Sequence, residues 1–182
     1  MQLRTEFTLP AEPDEVYRFL LDLEHVAPCI PGAEIGSGSA DGSYPATITV
    51  KLGPIRLRFD GTVRIAERDD GARQAVLASE AREARGQGSA KARMTMSVSG
   101  GSDGAASDVA VLTDLQLSGR AAQMGQGVVA DVAYRLVAEM ASCLEASFAA
   151  EAPGPGEGPR PLHAGGLLFS ALWSRLKRLL AR

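Results

Sequence analysis

IRLRFDGTVRIAERDDG, residues 55–71, decides the fold class. Ile55, Leu57 and Phe59 point one way, and Arg56, Arg58 and Asp60 the other. Strict alternation with charge on one side means a β-strand in an antiparallel sheet with one wet face. The stretch ends on Asp70-Gly71, a strong hairpin signal. A strand of this length that turns straight back requires further strands on both sides of it.

Those strands follow outward. Upstream, ADGSY (40–44) reads as a turn and YPATITVKLG (44–53) as an alternating strand. Downstream, ARQAVLASEAREARG (72–86), GSAKARMTMSVSGG (88–101) and SDVAVLTDLQLSG (107–119) are separated by glycine-rich turns. LRTEFTL (3–9) adds a strand before Pro10. PDEVYRFLLDLEHV (13–26) opens with Pro13 and acids in its first turn, which predicts a helix. APCIPG (27–32) breaks it. The count is about seven antiparallel strands.

The period changes at residue 120. RAAQMGQGVVADVAYRLVAEMASCLEASFAAEA (120–152) has no breaker after Gly127. Met124, Val128, Val132, Leu136, Met140, Leu144 and Phe148 recur at i+4, flanked by Val129, Ala133 and Val137. That predicts a long amphipathic helix. A helix lying across a curved antiparallel sheet leaves space between the two. The expected class is therefore α+β, a helix-grip arrangement over residues 1–150.

Composition agrees with a globular body: 45% hydrophobic, 23% charged and only 5% aromatic. Charge is uneven. Residues 1–150 carry 14 Lys and Arg against 20 Asp and Glu, and residues 151–182 carry five against two. An acidic body with a basic tail points to a surface partner for the tail. The acidic body and scarce aromatics disfavour nucleic acid. Cys29 and Cys143 have no metal-ligand spacing. MQLRTEFTLP lacks the apolar core of a signal peptide, so the reading is a cytosolic protein with reduced thiols. No apolar run approaches the roughly 20 residues of a membrane span.

The order of elements resembles the START-like (SRPBCC) superfamily. Three stretches are closer to the CoxG family, the G subunit of carbon monoxide dehydrogenase: PDEVYRFLLDLEHVAPCIPGAE (13–34), GSYPATITVKLGPIRLRFDGTV (42–63) and SGRAAQMGQGVV (118–129). The resemblance implies a non-catalytic accessory protein with no covalently bound cofactor. Such proteins accompany molybdenum-containing CO dehydrogenases and related hydroxylases and recruit them to the cytoplasmic membrane. It also implies a cavity that holds a respiratory quinone, menaquinone or ubiquinone.

The tail fits that expectation on its own physics. APGPGEGPRPLH, within the linker 151–163, is a proline-glycine leash. In LLFSALWSRLKRLLAR (167–182), a helical wheel gathers Leu168, Phe169, Leu172, Trp173, Leu176, Leu179 and Leu180 on one arc. Arg175, Lys177, Arg178 and Arg182 fill the other. At ~1.5 Å per residue the segment over 164–182 is under ~30 Å long and carries four cations. It suits the lipid interface rather than a span. The plainer reading is a helix docked on protein.

Candidate ligand contacts follow the two apolar faces: Phe59, Met94, Met96, Leu115 and Leu117 from strands, and Met124, Gly125, Val128, Val132, Leu136 and Met140 from the helix. Met adapts to a long flexible ligand. The same stripe is also what a simple core looks like. Gly125 and Gly127 read as small surfaces for close approach, or as a loosening at the cavity mouth. Their spacing is not that of a phosphate loop. Cys29 reads as a small buried residue, with a His25–Cys29 nucleophilic pair lacking an orienting third group. An enzyme of the polyketide-cyclase type would need polar groups facing inward, such as Tyr17, His25 or Tyr134. A general carrier of hydrophobic ligands is the third reading.

Overall fold

The computed structural model describes residues 1–52, 55–101 and 106–151. The proline-glycine linker and the amphipathic segment over 164–182 lie outside the described residues. The elements are β1 (Gln2–Leu9), α1 (Pro13–Leu21), α2 (Leu23–Val26), a 3₁₀ turn (Ala27–Cys29), β2 (Ala33–Ile35), β3 (Ser43–Leu52), β4 (Ile55–Asp69), β5 (Gln74–Glu83), β6 (Ser89–Gly100), β7 (Ser107–Leu117), α3 (Arg120–Gln123) and α4 (Gln126–Glu151).

The strands form one antiparallel sheet in the order β1-β7-β6-β5-β4-β3-β2. Six of them coincide with the stretches expected as strands. β2 is too short, at three residues, to show a period, and no sequence signal places it. Two features let the sheet curl. A register shift between Ile65 and Glu67 marks a bulge in β4. At Gly61 the backbone of β5 comes so close that a Cβ would meet Glu80 O and Ala81 Cα.

α4 closes the open side. It packs against β1 at one sheet edge, and against β3 and the 3₁₀ turn at the other. The helix does not run unbroken from residue 120, as the sequence pattern implied. Gly125 adopts φ +84° and separates α3 from α4. Gly127 lies in the first turn of α4 with no atom within 4 Å of where its Cβ would stand. The sheet does not approach either glycine closely. Gly125 is a left-handed link.

α1 and the C-terminal half of α4 fill one end of the sheet. Val16, Tyr17 and Leu20 of α1 pack with Leu9, Met96, Val109, Leu144 and Phe148. The Phe19 and Phe148 rings lie 4.9 Å apart, tilted by 56°. The Tyr17 hydroxyl donates to Gln74 O (3.0 Å) and to Asp70 Oδ1 (3.2 Å), tying α1 to the β4–β5 turn. Burial, reinforced by the Asp70 carboxylate, pushes the phenol up. A hydrogen bond from Arg68 holds Asp70 below the usual carboxylate range. Tyr17→Phe leaves Gln74 O without its donor and is expected to lower unfolding stability by about 1 kcal/mol in a urea titration, with the fold unchanged.

One expectation is overturned here. Cys29 and Cys143 are not reduced thiols but a disulfide, with Cα atoms 5.4 Å apart across a sequence separation of 114. The 3₁₀ turn and the crossing of α4 bring them together, and nothing in their local sequences announces it.

Candidate functional site

The register fixes which residues face the helix. Across β3–β4, Ile48 opposes Phe59 and Val50 opposes Leu57. Across β4–β5, Val63 opposes Ser79 and Ile65 opposes Leu77. Ser79 and Leu77 oppose Ala92 and Met94 on β6, which oppose Leu115 and Thr113 on β7. Ala90 opposes Leu117, and Met96 opposes Val111. Directly opposed residues share a face. Phe59, Met94, Met96, Leu115 and Leu117 therefore all lie on the inner face.

Two apolar clusters occupy that face. The larger contains Met96, with Met140 of α4 packed against it. The smaller contains Leu57, Phe59 and Ala121, with Leu117, Met124 and Val132 packed against it. Between them lies a belt that belongs to neither: Val63, Ile65, Ser79, Ala92, Met94, Thr113 and Leu115, all partly exposed although they face inward. Leu136 sits on α4 between Val132 and Met140, facing the belt, and is also partly exposed. The sheet side carries small groups at Gly61, Ser79, Ala81, Ala90 and Ala92. Along β4 the belt runs about 7 Å, and from β4 to β7 about 14 Å, from ordinary strand spacing. It is a mostly apolar, partly exposed strip with two hydroxyls, Ser79 and Thr113.

The sequence-predicted contacts thus divide. Met94, Leu115 and Leu136 border the belt. Phe59, Leu117, Met124 and Val132 form one end of it, and Met96 and Met140 belong to the filled core. Val128 is 40% exposed and faces away. The reason is geometric: each i+4 step turns about 40° past a full circle, so a seven-residue stripe drifts off the face. Val129, which is buried, takes the inward place. Gly125 lies in the α3–α4 link and offers no side chain. Val63 and Ile65 were missed, though extending the Leu57–Phe59 phase by six residues would have found them. Ser79 had no signal, because QAVLASEARE does not alternate.

The polar candidates do not converge. Tyr17 is buried against the β4–β5 turn. His25 is a surface residue 2.7 Å from Asp22, its side chain 74% exposed. Tyr134 is exposed. Cys29 is held in the disulfide and is no nucleophile. The buried carboxylate of Glu83 accepts from Arg85 N (2.8 Å) and Gln87 N (3.1 Å), which fixes the β5–β6 turn. No group of three or more potential metal ligands occurs among the described residues. A shallow depression of about 480 Å³ on the opposite face of the sheet is lined by Asp60, Thr62, Glu80, Arg82 and Lys91. Lys91 and Glu80 there pair at 3.0 Å.

Fold and inner belt together define a START-like protein, a curved sheet gripping a helix over an apolar interior. A START superfamily protein from Mycobacterium smegmatis superposes with a TM-score of 0.53 at 15% identity, covering 82% of this chain and 97% of that one. A conserved protein from Geobacillus kaustophilus gives 0.72 at 16% identity, with 82% and 96% covered. The Zhui aromatase/cyclase from Streptomyces sp. R1128 gives 0.59 at 11%, with 87% and 99% covered. At these identities the likeness shows the fold alone. No curated protein matches the chain. Within the class, residues 6–149 match the family of the carbon monoxide dehydrogenase G subunit (CoxG), and the chain belongs to it.

Proposed function

We propose that this protein is a non-catalytic membrane adaptor. It binds a prenylated respiratory quinone, menaquinone or ubiquinone, in the inner belt. It brings a molybdenum-containing CO dehydrogenase, or a related hydroxylase, to the cytoplasmic face of the membrane. The observation that carries the reading is the belt itself: inward-facing apolar side chains that stay partly exposed between two packed clusters, in a member of the CoxG family. A prenyl chain is long, flexible and apolar, and Met94 and Leu136 offer it adaptable walls. The protein supplies binding and exclusion of water, while electrons come from the partner's own cofactors. No helix among the described residues is long and apolar enough to cross a membrane. The tail makes a membrane contact through Leu168, Phe169, Leu172, Trp173, Leu176, Leu179 and Leu180, with Arg175, Lys177, Arg178 and Arg182 toward lipid headgroups. Truncation at about Pro153 is expected to abolish flotation with liposomes and leave the folded body intact. Flotation of the truncated form at the full-length level contradicts the anchor.

The cyclase reading has one support, the shared fold with an aromatase/cyclase. It needs polar groups converging on the ligand, and Tyr17, His25 and Tyr134 are engaged elsewhere or on the surface.

A further inference from the structure

Charge is sorted along the strands. One end of the sheet is formed by the β3–β4 hairpin, the β5–β6 turn and the β7–α3 link. Lys51 and Arg56 are directly opposed on the outer face of that hairpin. Like charges directly opposite destabilise a sheet, and neither has a carboxylate within ion-pair distance among the described residues. Hydrogen bonds carry the same end across to α3. Ala84 N donates to Arg58 O (2.8 Å), and Arg120 N donates to Gln87 O (3.0 Å). Arg85 and Arg120 are therefore next along the rim, both exposed and without an ion pair among the described residues.

Of the carboxylates nearby, Asp131, exposed three residues along α4 from Val128, offsets part of these four charges, while Glu83 and Asp60 do not. Glu83 is buried and bonded to the turn's own amides. Asp60 is paired with Arg58 at 2.9 Å. The opposite end differs: Glu12, Asp14, Glu15, Asp69 and Asp70 gather there, and its arginines, Arg68 and Arg73, are paired with Asp70 and Asp14. At the basic end the smaller cluster closes the belt under Ala121 and Met124, beside the left-handed Gly125 link and the exposed Val128.

We propose that this basic rim is a docking surface for an anionic lipid bilayer, made by the globular body itself and separate from the tail. It sets the end of the sheet that carries the smaller cluster and the exposed Val128 against the membrane. The inference rests on the membrane reading above and adds an orientation to it. Cations around an exposed apolar side chain, with the acidic end turned away, are what an anionic leaflet orients. Each such cation contributes roughly fivefold to partitioning.

The test uses the full chain with phosphatidylcholine vesicles, with and without phosphatidylglycerol. K51E/R56E/R85E/R120E is expected to bind the anionic vesicles at least tenfold more weakly and the neutral ones as before. Should that variant fold poorly, Lys51→Gln alone serves. It is expected to weaken anionic binding while leaving or raising the melting temperature, which a purely structural role for Lys51 would lower. In a W173F background, Val128→Trp is expected to shift its emission to the blue on anionic vesicles. Equal binding by variant and wild type, or an unshifted reporter, overturns the rim and leaves the tail anchor standing. A wild type that binds neither vesicle overturns both. Unchanged vesicle binding with lost capture of a hydroxylase makes the rim a protein-docking surface and also overturns the proposal.

Discussion

Gly61→Val leaves the chain unable to hold its sheet, with little folded protein recovered. The reason lies in the backbone. A Cβ on residue 61 would meet Glu80 O and Ala81 Cα, main-chain atoms of the neighbouring strand that have no rotamer to escape into. Relief requires β4 and β5 to separate near the start of their pairing, beside Phe59 and Leu57 of the smaller cluster. A cost above about 4 kcal/mol is expected, against a total of about 5–15 kcal/mol for an ordinary domain. Gly61→Ala adds the same atom and is expected to lose nearly as much. An alanine variant with the wild-type urea midpoint contradicts this account of the bend. The glycine of RFDGTV, within a stretch that resembles the CoxG family, thus has a structural cause.

Reducing the Cys29–Cys143 bond is the second large effect. It releases a loop of more than a hundred residues, and loops of that length carry about 3–5 kcal/mol of chain-entropy stabilisation. A melting temperature lower by about 10 °C in the presence of reductant is expected for a domain of this size. Equal melting temperatures with and without reductant contradict it. The bond pins the 3₁₀ turn to α4, so loosening it frees the helix from one sheet edge. Protein alkylated without reductant is expected to carry no label, and protein reduced first is expected to carry two.

The fold was legible where the period was clean. Ile55-Leu57-Phe59 set the phase of β4, and the switch to a helical period after residue 120 set the grip. What stayed hidden was what a one-dimensional pattern does not contain. β2 is too short to have a period. β5 lacks alternation, because Ala75, Ser79 and Ala81 are small enough to face inward without being greasy. The i+4 stripe assigned Val128 inward, and helical drift turned it out. The disulfide joins residues 114 apart, and only the crossing of α4 over the 3₁₀ turn makes it. The family was readable from CIPGAE and GRAAQMG. The open belt was not, because it is defined by what fails to pack.

The central claim is that this belt holds a prenylated quinone. It is tested most directly by purifying the full-length protein without detergent from a quinone-containing host, extracting it with organic solvent and analysing the extract by mass spectrometry. The account predicts near-stoichiometric menaquinone or ubiquinone. Folded protein that still binds liposomes but yields no quinone contradicts it.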